Sequence, residues 1–212
     1  MKSFERIFQD NEKWVAAKLS KDPAYFDKLA EGQKPEILYI GCSDSRVTAE
    51  ELMGAEPGEI FIHRNVANLV VATDNNVNAV VQYSVEHLKV KHIVICGHYE
   101  CGGVRSALHP TDMGQLNSWL QSIRDVYRIH QHELDSIADP TKRYDRLVER
   151  NVLEQCLNII KTDHYQRAWY HETAPQIHGW VFDVRTGKLI DLQLNLKEEF
   201  ESIRKIYDLK PL

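Results

Sequence analysis

Long apolar runs are missing from this chain of 212 residues; the longest, such as 93–96, span a handful of positions, whereas a bilayer crossing needs about 20. No transmembrane helix is expected. The opening Met1-Lys2-Ser3-Phe4-Glu5-Arg6 has neither the apolar centre nor the small-residue cleavage site of a secretory leader. Cysteine is scarce, with four residues (Cys42, Cys96, Cys101 and Cys156), too few for a disulfide framework at this size. We therefore expect a reducing, cytoplasmic setting in which thiols are buried, reactive or metal-bound. Lys and Arg form no long run, and 26 of them against 31 Asp and Glu leave a formal charge of −5. That balance provides no footprint for nucleic acid or an anionic membrane, and neither is expected as a partner. Internal repeats, low-complexity tracts and clear linkers are also absent.

What is present is ordinary globular material. With 43% hydrophobic and 27% charged residues, the chain can bury a sizeable core, and its length suits one domain over 1–212. Residues 1–34 read as a helical arm and 35–212 as an α/β core with C-terminal elements. In the arm, Phe4, Ile7, Phe8, Trp14, Val15 and Leu19 predict an amphipathic helix over 4–19, followed by a short one over 23–29. Neither can bury its face alone, so the arm is expected to pack on the core or on another subunit.

Beyond the arm, β-rich runs at 36–41, 59–64 and 91–97 alternate with helices. Residues 75–88 read as one helix through Val77, Val80, Val81, Val85 and Leu88, and 114–132 and 144–161 as two longer ones. Strands at 177–184 and 188–194 and a helix over 198–207 complete the pattern. The expected fold class is α/β, with a mostly parallel central sheet flanked by helices.

Two of the strands run straight into chemically rich loops: Gly41-Cys42-Ser43-Asp44-Ser45-Arg46 and Gly97-His98-Tyr99-Glu100-Cys101-Gly102-Gly103. In an open parallel sheet, ligands bind beyond the carboxyl ends of strands, so both loops should open on one edge. Two thiolates and an imidazole are a natural zinc set, with Cys42, His98 and Cys101 as ligands. Two placements are open to Asp44. It closes the tetrahedron as a fourth ligand, or it pairs with Arg46 and leaves that position to water. Zn²⁺ with two thiolates is formally neutral, which makes an additional anionic ligand easier to displace. A structural zinc closed by Asp44 is one alternative. Another is a glycine-rich phosphate loop over 97–103 with Cys42 or Cys101 as nucleophile, although the spacing fits neither standard phosphate motif. Cys96 and Cys156 fall on apolar positions and read as core.

Cys42-Ser43-Asp44-Ser45-Arg46, His63-Arg64-Asn65-Val66-Ala67-Asn68 and Gly97-His98-x-x-Cys101-Gly102-Gly103 together resemble the β-class carbonic anhydrases of bacterial type. The likeness runs from the N-terminal helices to His178-Gly179-Trp180. It implies reversible hydration of CO₂ to bicarbonate and a proton by zinc-bound hydroxide, with one Zn²⁺ per subunit on Cys42, His98 and Cys101. It implies that Asp44 and Arg46 form a gating dyad, that Gln33 reaches a neighbouring subunit's pocket, that the Gly102 N–H contacts substrate, and that Val66 and Tyr83 wall the pocket. His63 is a candidate proton shuttle. Two thiolate ligands donate more charge than imidazoles, so activity should rise with alkalinity. A branch of the family carries a second, inhibitory bicarbonate site of tryptophan, arginine and tyrosine. The matching positions here are Tyr39, Arg64 and Phe182, which lack the indole and one phenol, and strong bicarbonate regulation is not expected. Homodimers or homotetramers are also implied.

Overall fold

The computed structural model describes residues 4–209, and the chain divides after Lys34 into two compact units. In the first, α1 (Phe4–Lys21) and α2 (Tyr25–Ala30) meet through Trp14, whose ring stands edge-on to Phe26 at 5.5 Å and to Tyr25 at 6.4 Å. Asp22 sets the turn between them by accepting from the Ala24 N–H at 3.0 Å and the Lys28 ammonium at 2.6 Å. Along α1 the apolar side chains stay in the open, Phe4 at 80% exposure and Phe8 at 70%.

The second unit is built on a five-stranded sheet in the order β2-β1-β3-β4-β5. Strands β1 (Ile37–Cys42), β2 (Ile60–Asn65), β3 (His92–His98) and β4 (Gln176–Asp183) run parallel, while β5 (Lys188–Asp191) returns antiparallel along the β4 edge. The central strands are apolar at nearly every position because both their faces are covered. Alternate side chains divide the core. Leu38, Ile40, Ile93 and Ile95 face one layer, and Tyr39, Val94, Cys96 and Phe182 face the other. On the first layer lie α4 (Asn75–Gln82), α5 (Gly102–Ala107), α6 (Leu116–Ile129) and α8 (Pro140–Ile160), and on the second α3 (Ala49–Met53).

Helix α8 is the central pillar. Asp139 caps it, accepting from the Thr141 N–H at 2.8 Å, and Pro140 occupies the first turn, where its missing N–H is harmless. It lies close on the sheet because Gly97 and Gly179 have no side chain there. A Cβ on Gly97 would fall 2.6 Å from Val152 Cγ2, and one on Gly179 would fall 3.1 Å from Val152 Cγ1.

The architecture matches the expected class, with local corrections. The run 75–88 is α-helical only to Gln82 and continues as a π-helical turn over Tyr83–Leu88, where Ser84 Oγ bonds back to the Val80 carbonyl at 2.7 Å. The helix expected over 114–132 breaks at His130, which leaves helical geometry and bonds Glu154 at 2.8 Å; α7 (Gln131–Ser136) follows. Strand 188–194 ends at Asp191, whose carboxylate accepts from the Gln193 N–H at 2.9 Å in a turn. Helix 144–161 begins earlier, at the Asp139 cap. The short α3, α5 and α7, and α9 (Asp163–Tyr170), were not anticipated, and α10 spans Leu196–Ile206. Among the described residues no helix is long and apolar enough to cross a membrane, and all four cysteines are free and buried.

Candidate metal centre

Parallel pairing of β1 with β3, Gly41 opposite Cys96, brings both strands to their carboxyl ends on one sheet edge. Cys42 ends β1, His98 ends β3, and Cys101 precedes the first turn of α5. Their donor atoms lie within 4.8 Å of one another, all three residues buried, the only such group of three or more His, Cys, Asp or Glu found among the described residues. The two sulfurs are 3.9 Å apart. His98 Nδ1 sits 2.9 Å from the Tyr99 carbonyl, which can only accept, so Nδ1 carries the proton and Nε2 keeps its lone pair. That Nε2 is buried with no hydrogen-bond partner. A buried, unpartnered lone pair beside two thiols suits a borderline-soft cation, and the donor set fits zinc. Tyr144 steadies the third donor residue, its hydroxyl donating to the Cys101 carbonyl at 2.6 Å.

The paired thiols pull apart in acidity: the hydrogen bond from Cys101 lowers Cys42 well below an ordinary thiol, and the same pairing, with burial, pushes Cys101 up. A cation bound between them would favour the thiolate form of both.

Asp44 lies beside this group. Arg46 grips its carboxylate with a two-pronged fork, Nε to Oδ1 at 2.9 Å and Nη2 to Oδ2 at 2.7 Å, and the Arg46 N–H adds a third bond at 3.0 Å. These bonds hold Asp44 far below the usual carboxylate range, with the Arg46 side chain the largest cause. Oδ2 is 3.8 Å from His98 Nε2, adjacent to the donor triangle. Arg46 is itself tied across to the second loop by the Glu100 carbonyl at 3.1 Å.

The remaining sequence candidates are more dispersed. Arg64 donates to the carbonyls of Cys42 at 2.9 Å and Asp44 at 2.7 Å, so two of its donors brace the first loop. Tyr39 and Phe182 are buried together in the second core layer. The Tyr39 hydroxyl has no hydrogen-bonded oxygen or nitrogen partner, and burial pushes its ionisation up. Val66 is part-exposed and abuts Gly103, its carbonyl receiving the Trp119 indole N–H at 2.8 Å. A Cβ on Gly102 would meet open space. Tyr83 opens the π-helical turn, its ring 5.7 Å from Phe61 and 5.3 Å from His87. Gln33 is exposed, in the first unit. His63 is buried, bonded to the Asn65 amide at 3.1 Å, and burial pushes its protonation down. Sequence reasoning missed Tyr144, Glu100 and a polar face of α8, Asn151, Gln155 and Asn158. The four-then-three spacing of those amides in an apolar helix was the available signal.

The carbonic anhydrase family model matches residues 37–189. A carbonic anhydrase of Emericella nidulans is 54% identical over 205 residues, covering 97% of this chain and 90% of the relative. A β-carbonic anhydrase crystal structure from Aspergillus fumigatus superposes with a TM-score of 0.91 at 36% identity, covering 99% of this chain and all of that one. The chain belongs to the β-class carbonic anhydrases. As a β-carbonic anhydrase it is an enzyme, and its donor triangle occupies the sheet edge where the fold places both loops. Another β-carbonic anhydrase, one of two tetrameric enzymes from Sordaria macrospora, gives a TM-score of 0.85 at 40% identity, over 91% of this chain and 98% of that one.

Proposed function

We propose that this β-carbonic anhydrase interconverts CO₂ with bicarbonate and a proton at one zinc per chain, held by Cys42 Sγ, His98 Nε2 and Cys101 Sγ. The observation that carries the reading is the buried triangle of donor atoms, with an unpartnered Nε2 at one corner and a carboxylate clamped beside it. Zinc there supplies a Lewis acid that makes hydroxide available from water near neutral pH.

The chain's own groups do the rest. Asp44, kept anionic by Arg46, accepts a hydrogen bond from the attacking water and aims its lone pair. Gly102 offers a backbone N–H to a substrate oxygen, while Val66 and Tyr83 supply apolar wall for CO₂, with Gln33 contributed across a subunit boundary. Opening of the Asp44–Arg46 fork frees the carboxylate to turn into the donor triangle, and this is the proposed gate. A homodimer or homotetramer is consistent with the tetrameric relatives from Sordaria macrospora and with the exposed apolar side chains of α1.

Stopped-flow CO₂ hydration, with zinc-loaded and chelator-stripped protein compared from neutral to alkaline pH, tests the proposal. The expected result is a rate that depends on zinc and climbs with pH. A zinc-loaded protein no faster than buffer at any pH overturns the zinc mechanism.

A further inference from the structure

Glu100 lies between His98 and Cys101, two corners of the donor triangle, and its backbone is left-handed, with φ of 59°. Side-chain-bearing residues avoid that region unless their surroundings hold them there. Here the carboxylate is held by guanidiniums from two separate elements. Arg105, on α5, donates to Oε2 through Nη2, and Arg185, in the turn between β4 and β5, lies 3.9 Å from Oε1. An isolated exposed ion pair contributes little, whereas a network of fixed charges does more. Both arginines are fixed. Arg105 lies over the Tyr144 ring at 5.0 Å, and Arg185 lies over the Tyr99 ring at 5.3 Å while pairing with Asp183 at 3.2 Å and Asp145 at 3.1 Å.

The carbonyl of this strained residue is the acceptor that ties Arg46 to the second loop. Arg46 Nη2 serves two acceptors at once, Asp44 Oδ2 at 2.7 Å and the Glu100 carbonyl at 3.1 Å. A guanidinium is planar and rigid, so the second anchor sets the plane of the fork. That plane in turn sets how Asp44 presents Oδ2 toward His98 Nε2, 3.8 Å away. Relaxing Glu100 to negative φ would turn its carbonyl off Arg46, whose side chain is 53% exposed and would then swing with Asp44 as its remaining partner.

We propose that Glu100 is a positioning residue for the Asp44–Arg46 fork: its carboxylate, clamped by Arg105 and Arg185, holds the left-handed backbone whose carbonyl fixes the Arg46 guanidinium. This rests on the reading of that fork as part of the CO₂-hydrating machinery.

A double-mutant cycle on zinc-loaded enzyme, with zinc content measured for each variant, provides the test. Glu100→Gly, which releases both the backbone and the ion pairs, should lower kcat/KM for CO₂ hydration by about 10-fold or more with zinc still bound. Glu100→Asn, which tolerates left-handed backbone better than other side chains do, should recover most of that loss. In the Arg46→Ala background no guanidinium is left to position, so Glu100→Gly should change kcat/KM by less than about 2-fold. The Arg46 Nε–H signal in nitrogen–proton NMR spectra, assigned by its loss in Arg46→Ala, reads the fork without reference to activity. Its exchange with water should quicken by about 5-fold or more in Glu100→Gly and stay near wild type in Glu100→Asn. Arg185→Met removes one clamp from outside the loop, should move both readouts the same way, and serves if the glycine variant does not fold. The proposal is overturned if the Glu100→Gly loss is equal in both backgrounds, if it tracks lost zinc, or if the Arg46 Nε–H exchange is unmoved. Arg46→Ala with wild-type kcat/KM overturns the reading of the fork itself, and this proposal with it.

Discussion

At Asp44 a single carboxylate is held between two fates by one guanidinium. The fork from Arg46 is bidentate and planar, a geometry that lysine cannot reproduce. Asp44→Asn keeps the shape but removes the charge, and we expect CO₂ hydration to fall by about 10²-fold or more with zinc still bound, read by stopped flow beside metal analysis. Zinc lost together with activity would instead make Asp44 a closing ligand. Cys101→Ser should lose zinc outright, because a hydroxyl is a poor substitute for a thiolate. At Arg64 the expectation concerns regulation. Two of its donors serve backbone carbonyls, and Phe182 has no hydroxyl to offer an anion. Titration with bicarbonate should therefore show no steep inhibition beyond product competition. Half-saturating inhibition abolished in Arg64→Ala would show that a second site operates.

Between elements, the decisive contact is α8 on β3. Gly97 immediately precedes His98, and Val152 fills the space over it. Gly97→Ala places a methyl against that valine, and overpacking of this kind costs about 1–3 kcal/mol. Chemical denaturation should show the loss, and zinc affinity should fall too, because the displaced strand carries the proposed ligand His98 at its next residue. Leu147, fully buried on the same helix, gives a contrasting case: Leu147→Ala should lower stability by about 2–5 kcal/mol, with the metal site intact in the folded fraction. These contacts explain what the helical patterns predicted well and what they missed. The apolar period of 144–161 was legible, whereas the break at His130 has no proline or glycine to announce it and depends on Glu154, 24 residues away.

For the whole molecule, pH and metal act through different groups. Glu133 on α7 is held at about 2 against an ordinary 4.5, chiefly by hydrogen bonds from Arg150, with Arg146 assisting. Glu86 is also held at about 2, by Gln82 and then Arg167. Depressed carboxylates contribute stability that is fully present above the unfolded value and lost as the pH falls through the folded one. The melting temperature should therefore drop between about pH 4.5 and about 2, and Glu133→Gln should flatten that drop. Near neutrality the dominant variable should be zinc: stripping it leaves His98 Nε2 buried without a partner, and the chelated enzyme should melt lower at every neutral pH.

The fold class, the parallel strands and the pairing of Cys42 with His98 and Cys101 were determined by sequence alone. Strand periodicity is local, and parallel order then puts the ends of β1 and β3 on one edge. The fork from Arg46 to Asp44 was within reach for the same reason, since a single residue, Ser45, separates its partners. Tertiary structure alone decided which groups brace the loops around those residues. Tyr144 on the Cys101 carbonyl, Arg64 on the first loop and Asn151 on Ala67 join elements 20 to 84 residues apart. Hydrogen bonds of that reach leave no period in the chain; the two from α8 depend on how closely that helix lies on the sheet, and that closeness depends on the missing side chains of Gly97 and Gly179.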